Sequence, residues 1–305
     1  ITCLSPLRGD FFRNTSTRPF NEARACQTGG GMKTKLLSVG ARRKPTDLFL
    51  VGSFEGEKSL RTLASLEPEF VKSAELAVKN KRFSGKKGET LSSFNPQYRE
   101  AAEVVLVGLG PRAKFEPSSL RQTVGKLIQL AQSRKAREVR VLFDTFVGGK
   151  VQPAPAAEIW TETATLATYR FDKYRTRKKE EENGPFKGPE VLEILFTKQG
   201  EETKFKKNIE LAEVVACGTL AARNLINEPG NVINPQRLAE EAKKIAREKR
   251  LRCTLLGLPE LKRLKMGGIL GVNQGSKTPP ALIVLEYGAQ YKRQGTICLV
   301  GKGVT

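Results

Sequence analysis

The chain has 305 residues, of which 39% are hydrophobic and 28% are charged, and this globular composition excludes a chain that is disordered throughout. No stretch approaches the roughly 18 consecutive apolar residues that a membrane-spanning helix needs, so no membrane partner is expected. The absence of histidine excludes Ser-His-Asp triads and histidine-ligated zinc sites, so any catalysis has to use carboxylates, lysine, arginine or metal-bound water.

The formal net charge of +21, from 53 basic and 32 acidic residues, makes nucleic-acid binding an alternative to weigh. A nucleic-acid footprint needs its positive charge on one face, and here the excess is spread along the chain. Residues 1–50 carry nine basic and three acidic side chains, whereas residues 151–200 carry eight of each. Because no long block of lysine or arginine occurs, specific nucleic-acid binding is the weaker interpretation.

The cysteines are odd in number, far apart in sequence and never arranged as a CxxC pair; they are Cys3, Cys26, Cys217, Cys253 and Cys298. This pattern fits neither a disulfide framework nor a thiolate metal site, and it is typical of a protein of the reducing cytosol. Cys217 and Cys298 lie in apolar runs, which predicts small buried side chains. A cytoplasmic location is therefore expected.

Residues 1–31 have no hydrophobic periodicity and begin without a methionine, whereas Met32 opens the stretch MKTKLLSVG like a translation start. We therefore expect residues 1–31 to be a non-native or disordered extension that takes no part in the fold. An organelle transit peptide is the alternative, because the segment contains arginine and threonine and few acidic residues.

Residues 32–200 alternate strand-like and helical patterns, which predicts an α/β domain with a largely parallel or mixed sheet. Strands are predicted at Asp47–Phe54, Glu103–Gly110, Glu138–Phe146 and Glu190–Thr197, and helices at Ser118–Arg134 and Ala156–Tyr174. The charged run Arg175–Glu190, which glycine and proline interrupt, predicts a solvated surface loop.

A long helical pattern predicts a linking helix over residues 201–226, which ends at the stretch NEPGN. Residues 227–305 then begin a second domain, which is expected to be incomplete. Asn234 and Pro235 predict the start of another helix. Strands are predicted in this domain at Arg252–Gly257, Ala281–Tyr287 and Thr296–Gly301.

Glycine-rich stretches in the second domain do not form a phosphate-binding loop. Gly301–Gly303 lacks both the Ser or Thr that follows the lysine of a P-loop and the glycine that opens the motif. Gly267–Ser276 is not a GxGxxG motif and does not follow a predicted strand. Nucleotide binding through these loops is therefore not expected.

Lys302 stands directly after the predicted strand Thr296–Gly301, where a buried strand would meet a turn. A charged amine there would lose hydration, so it is paired, neutral or bound to another group. The local sequence leaves several roles open: an amine that extends to the surface, a Schiff-base amine, a phosphate contact or a neutral amine bound to a metal ion. Spacing alone does not separate them.

Three segments carry a family resemblance in their order and spacing: ARNLINEPGNVINP (Ala222–Pro235), LPELKRLKMGGILGVNQGSKTPPALIVLEY (Leu258–Tyr287) and LVGKGVT (Leu299–Thr305). They resemble the leucyl aminopeptidase (cytosol aminopeptidase) family, and TYRFDKY (Thr168–Tyr174) is similar to the end of that family's N-terminal domain. The resemblance runs from Met32 to the last residue and is most specific in the three segments.

The resemblance implies a macro-domain-like N-terminal α/β domain, followed by the start of an α/β/α mixed-sheet metallopeptidase domain. It also implies that Lys302 is a ligand, through its neutral amine, of a centre of two divalent metal ions, Mn²⁺ or Zn²⁺. In the family a Phe-Asp-(Ser/Thr)-Gly-Gly segment follows, and the other metal ligands, the catalytic lysine and the arginine lie beyond Thr305. No catalytic residue is therefore expected within this chain.

The function that the resemblance implies is the release of N-terminal amino acids, leucine among them, from peptide substrates by a water molecule that two metal ions activate. The full-length protein would be a cytoplasmic homohexamer, and this chain alone would be inactive. Two alternatives remain: DNA binding through the basic surface, and ADP-ribose binding by the macro-domain-like part.

Overall fold

The computed structural model of the chain describes residues 2–4, 32–57, 60–95, 97–176, 186, 188–288 and 295–303. Its strands are β1 Thr2–Leu4, β2 Lys33–Ser38, β3 Thr46–Phe54, β4 Thr90–Phe94, β5 Ala101–Gly110, β6 Glu138–Leu142, β7 Val191–Phe196, β8 Arg252–Leu256, β9 Leu282–Glu286 and β10 Ile297–Leu299. Its α-helices are α1 Leu60–Ala64, α2 Pro68–Lys79, α3 Pro117–Ser133, α4 Pro153–Ala167, α5 Glu201–Lys204, α6 Lys206–Asn227, α7 Pro235–Lys249, α8 Leu258–Arg263 and α9 Gly267–Val272.

The chain divides into two compact units, and the boundary lies inside helix α6, between Arg223 and Asn224. The larger unit contains β2 to β7, and the smaller unit contains β1 and β8 to β10. The α/β class predicted from the sequence is confirmed. The domain boundaries expected at residues 200 and 226 stay a prediction. Among the described residues, no helix is both long enough and apolar enough to span a bilayer.

The sheet of the larger unit has the strand order β2-β7-β6-β3-β5-β4. Across the sheet, β2, β7, β6, β3 and β5 run parallel to their neighbours. The edge strand β4 pairs antiparallel with β5. β3 and β5 are buried along most of their length, which explains their nearly continuous apolar runs. The largely parallel or mixed sheet expected for this part of the chain is therefore present.

Alternate side chains of β3 point to opposite faces of this sheet and enter two separate cores. Leu48 and Leu50 pack in a core that α3 and α4 cover on one face. Phe49 and Val51 pack in a second core that α1 and α2 cover on the other face. The larger unit is therefore a sheet between two layers of helices.

The strand predicted at Glu138–Phe146 forms over only part of that range. It ends at Leu142, and Phe143–Phe146 forms a 3₁₀ turn. The hydroxyl of Thr145 donates to the carbonyl of Leu142 at 2.6 Å, a local bond that competes with continuation of the strand. Apolar residues alone did not reveal this turn.

The helix predicted at Ala156–Tyr174 also ends early, at Ala167. Side chains from two other helices satisfy carbonyls of its last turn. Arg223 of α6 donates to the carbonyl of Leu166 at 3.1 Å, and Gln132 of α3 donates to that of Ala167 at 3.4 Å. These bonds replace the backbone donors that a longer helix would supply.

The sheet of the smaller unit has the strand order β10-β1-β9-β8. Thr2–Leu4 pairs antiparallel with β10 and parallel with β9, which differs from the expectation that residues 1–31 take no part in the fold. Strand pairing uses backbone groups, so an extended segment needs no hydrophobic periodicity to pair. Residues 5–31 of the expected extension lie outside the described residues.

Candidate functional site

The first turn of α7 contacts two other motif segments of the smaller unit. Asn234 caps this helix by accepting the backbone N–H of Arg237 at 2.9 Å, and Pro235 stands at the first helical position. Next to the cap, Gln236 Nε2 donates to the carbonyl of Pro279 at 2.8 Å, which ties the helix to the segment that leads into β9.

The segment that carries Lys302 follows β10 and passes the same end of α7. A Cβ atom built on Gly303 would lie 3.7 Å from Cδ2 of Leu238. Lys302 itself is exposed. The structure therefore brings the three motif segments together at the first turns of α7, with Lys302 exposed rather than at the mouth of a buried strand.

Strand β10 forms as predicted, but it is not buried. Ile297 and Leu299 are 47% and 56% exposed, and the following Val300 is 75% exposed. Cys298 is exposed as well, and Cys217 is only partly buried, so the expectation of two buried cysteines is wrong. The apolar sequence is sufficient for strand pairing, whereas burial requires a covering layer that the described residues do not supply at β10.

By themselves, the described residues do not fit a centre of two divalent metal ions. They contain no group of three or more His, Cys, Asp or Glu side chains that could hold a metal ion. Two carboxylates of the smaller unit have other partners, since Glu286 pairs with Arg252 at 3.3 Å and Glu260 accepts the N–H of Gly257 at 3.0 Å. Oxygen-preferring divalent ions need several such ligands, so one lysine amine is insufficient.

The chain's own backbone fills the space at the carboxyl ends of β3 and β5, in the region where α/β sheets commonly bind nucleotides. Gly52 of β3 donates its N–H to the hydroxyl of Thr145 at 2.9 Å, and a Cβ atom on Gly52 would lie 2.6 Å from the Thr145 carbonyl oxygen. On β5, a Cβ atom on Gly108 would lie 2.0 Å from the carbonyl oxygen of Lys86. These glycines allow close packing of chain segments, which gives ADP-ribose binding no support.

Sequence reasoning did not identify the roles of Gln236 and Leu238. The partner of Gln236 lies 43 residues away, and Leu238 lies close to Gly303, which is farther still along the chain. The Asn-Pro pair that precedes them indicates a helix start, but no local pattern indicates which distant segments that start contacts.

Two family models match this chain. The N-terminal domain of the cytosol aminopeptidase family matches residues 50–178, and the catalytic domain of the same family matches residues 220–305. The first match lies in the larger unit. The second covers the smaller unit from α6 onward, including β8 to β10 and Lys302.

Curated relatives agree with these models. A protein of Desulfotalea psychrophila named "Probable cytosol aminopeptidase" is 39% identical over 231 residues, which is 73% of this chain and 45% of that protein. A protein of Bacillus subtilis with the same name is 31% identical over 262 residues, 85% of this chain and 51% of that protein. The chain therefore spans about half the length of the curated relatives it matches.

Solved structures show the same fold. A mutant of tomato leucine aminopeptidase matches with a TM-score of 0.66 and 25% identity, over 83% of this chain and 50% of that chain. The bottromycin maturation enzyme BotP, solved in complex with Mn, matches with a TM-score of 0.57 and 21% identity, over 78% of this chain and 44% of that chain. With both domain models matched in order over more than two thirds of its length, the chain belongs to the cytosol aminopeptidase family.

Proposed function

We propose that this chain is part of a metal-dependent leucyl aminopeptidase, which removes N-terminal amino acids, leucine among them, from peptides. The observation that supports this most is the match of both domains of one peptidase family in chain order. The likeness to tomato leucine aminopeptidase supports leucine as a preferred residue. Because the chain spans about half the length of its relatives, the activity is proposed for the longer protein.

Lys302 is the proposed metal ligand of this chain, through its neutral amine. Its position within the part that the catalytic-domain model matches, and its exposure, support this role. An amine binds a metal ion through its lone pair, so it must be unprotonated, and it supplies one bond to one ion. The remaining ligands of the proposed pair of Mn²⁺ or Zn²⁺ ions would have to come from residues other than the described ones.

A cytoplasmic location and assembly as a homohexamer are proposed for the longer protein. The relatives carry the word cytosol in their names, which supports the location, and the hexamer rests on the family resemblance alone. The alternatives gain no support, because both matched models are peptidase domains and backbone fills the space at the carboxyl ends of β3 and β5.

Hydrolysis of leucine amide by the full-length protein tests the proposed function. We expect turnover with added Mn²⁺, loss of turnover after chelation, and recovery when Mn²⁺ or Zn²⁺ is restored. N-acetylated leucine amide is the matched control, because an aminopeptidase requires a free α-amino group. Activity that survives chelation, or equal cleavage of the acetylated substrate, would overturn the proposal.

A further inference from the structure

A cavity of about 120 Å³ lies in the larger unit, between helix α3 and strands β4 and β5. Its floor is apolar and is formed by Val107, Leu127 and Leu130. Its polar side chains come from the loop before β4, from β4 and from α3; they are Lys87, Thr90, Gln122, Thr123 and Lys126. This lining contains no acidic side chain, so positive charge lies above an apolar floor.

The loop that carries Lys87 is held in place by its own hydrogen bonds. The carboxylate of Glu89 accepts the backbone N–H groups of Ser84 at 2.8 Å and of Lys86 at 3.1 Å. These bonds, chiefly the one from Ser84, hold the pKa of Glu89 below its ordinary value, so the carboxylate stays ionised and bonded at neutral pH. Gly108 of β5 donates its N–H to the carbonyl of Glu89 at 2.8 Å. The loop is therefore a preformed wall of the cavity.

The two lysines of the cavity lie on different elements. Lys87 Nζ donates to Gln122 Oε1 at 3.0 Å, which directs its ammonium group toward α3. Lys126 follows Gln122 by four residues, so both lie on the same face of α3. Glu103, the acidic residue of β5, pairs with Arg134 at 3.4 Å. The carboxylate of Glu89 on the same loop is bonded to backbone N–H groups. The charge of the two lysines is thus not balanced within the cavity lining, and these two nearby carboxylates are bonded to other groups.

We propose that this cavity binds a small carboxylate with a short branched aliphatic tail. The carboxylate lies between the ammonium groups of Lys87 and Lys126, which attract an anion. The tail lies against Val107 and Leu127, where burial of apolar surface contributes about 25 cal/mol per Å². Because an engineered cavity of about 150 Å³ holds benzene, this smaller one fits about five non-hydrogen atoms, with the carboxylate at its mouth.

The lining also determines which molecules bind poorly. A free amino acid carries an α-ammonium group, and the cavity lining offers no carboxylate to pair with it. That group is repelled by Lys87 and Lys126, and no carboxylate of the lining offsets its desolvation. The cavity therefore selects simple carboxylates over amino acids of the same shape. This inference rests on the larger unit alone and does not depend on the proposed peptidase activity.

Saturation-transfer NMR on the full chain, with three ligands that share one branched end, tests the proposal. The ligands are 3-methylbutanoate, valine, which adds an α-amino group, and 3-methylbutylamine, in which a CH₂–NH₃⁺ group replaces the carboxylate. We expect transfer to 3-methylbutanoate only, with a dissociation constant of about 1 to 10 mM for a ligand this small. Equal transfer to valine or to the amine, or transfer to none of the three, would overturn the proposal.

A double variant, Lys87→Met with Lys126→Met, locates the site. It keeps the apolar stems and removes both charges, so 3-methylbutanoate should bind about fivefold to tenfold more weakly. Lys72→Met is the matched control, because it removes an exposed lysine from α2 on the opposite face of the sheet, and binding should not change. Undiminished binding by a folded double variant would refute the assignment.

Discussion

The side chain of Arg140 on β6 binds both the carboxylate and the backbone carbonyl of Glu100. Its guanidinium donates to the carboxylate of Glu100 at 2.8 Å and to the carbonyl of the same residue at 2.8 Å. On the other side it donates to the carboxylate of Glu193 on β7 at 2.7 Å. Arg140 is 1% exposed, and both glutamates are buried. One side chain therefore ties β6 to β7 and to the residue that precedes β5.

Replacement of Arg140 by methionine should lower the free energy of unfolding of the larger unit by about 3 kcal/mol, because two buried carboxylates lose a shared partner. Urea unfolding followed by the fluorescence of Trp160, the single tryptophan, measures this effect in that unit. Lys206→Met on α6 is the control, since the pair of Lys206 with Glu210 is exposed and contributes about 1 kcal/mol or less. Equal losses in the two variants would contradict the argument.

Glu67 should make the stability of the larger unit depend on pH. Its carboxylate accepts the N–H of Glu100, but burial raises its pKa above the ordinary glutamate value. The folded chain then binds the proton more tightly than the unfolded chain. The protonated carboxyl of Glu67 therefore adds to stability in full at pH values below the ordinary glutamate pKa. That added stability is lost as the pH rises through the raised pKa of the folded state.

Glu67→Gln keeps an acceptor oxygen and cannot ionise, so it should be more stable than the parent at neutral pH. The difference should shrink as the pH falls, because the parent's carboxyl becomes protonated. Urea unfolding at several pH values, again with Trp160 fluorescence, checks both statements. Glu69→Gln, exposed on the same helix, should change little. A Glu67→Gln variant that is less stable than the parent at neutral pH would refute this prediction.

Lys302→Ala in the full-length protein should abolish or sharply reduce hydrolysis of leucine amide and weaken metal retention, with the fold intact. The reason is the loss of one proposed metal ligand, since no other donor replaces the amine. Activity with added Mn²⁺ and the metal content after dialysis are the two measurements. Lys277→Ala, which removes another exposed lysine of the smaller unit, is the matched control. A fully active Lys302→Ala protein would show that this lysine has another role.

The 305-residue chain by itself should have no peptidase activity, even with added Mn²⁺. Its described residues contain no carboxylate cluster, and one amine does not offset the dehydration of a divalent ion. The exposed Ile297 and Leu299 of β10 should also make the chain prone to self-association. The assay therefore uses freshly purified monomer, checked by light scattering. Robust turnover by that monomer would contradict the prediction.

The sequence by itself determines much of the larger unit. Leu120, Val124, Leu127 and Ile128 recur at helical spacing, which is sufficient to predict α3, and all four are buried. This succeeds because the periodicity of a helix or strand follows from local backbone geometry. The motif segments from Ala222 onward likewise identify the family without a structure.

Only the tertiary structure decides which distant groups meet. Arg140 and Glu193 are 53 residues apart, and Lys87 and Gln122 are 35 residues apart, so no local pattern indicates either contact. The same holds for burial, because the apolar run of β10 predicts a strand whether or not another layer covers it. Spacing determines which face of an element is apolar, whereas ion pairs, cavities and exposure depend on what the rest of the chain places against that face.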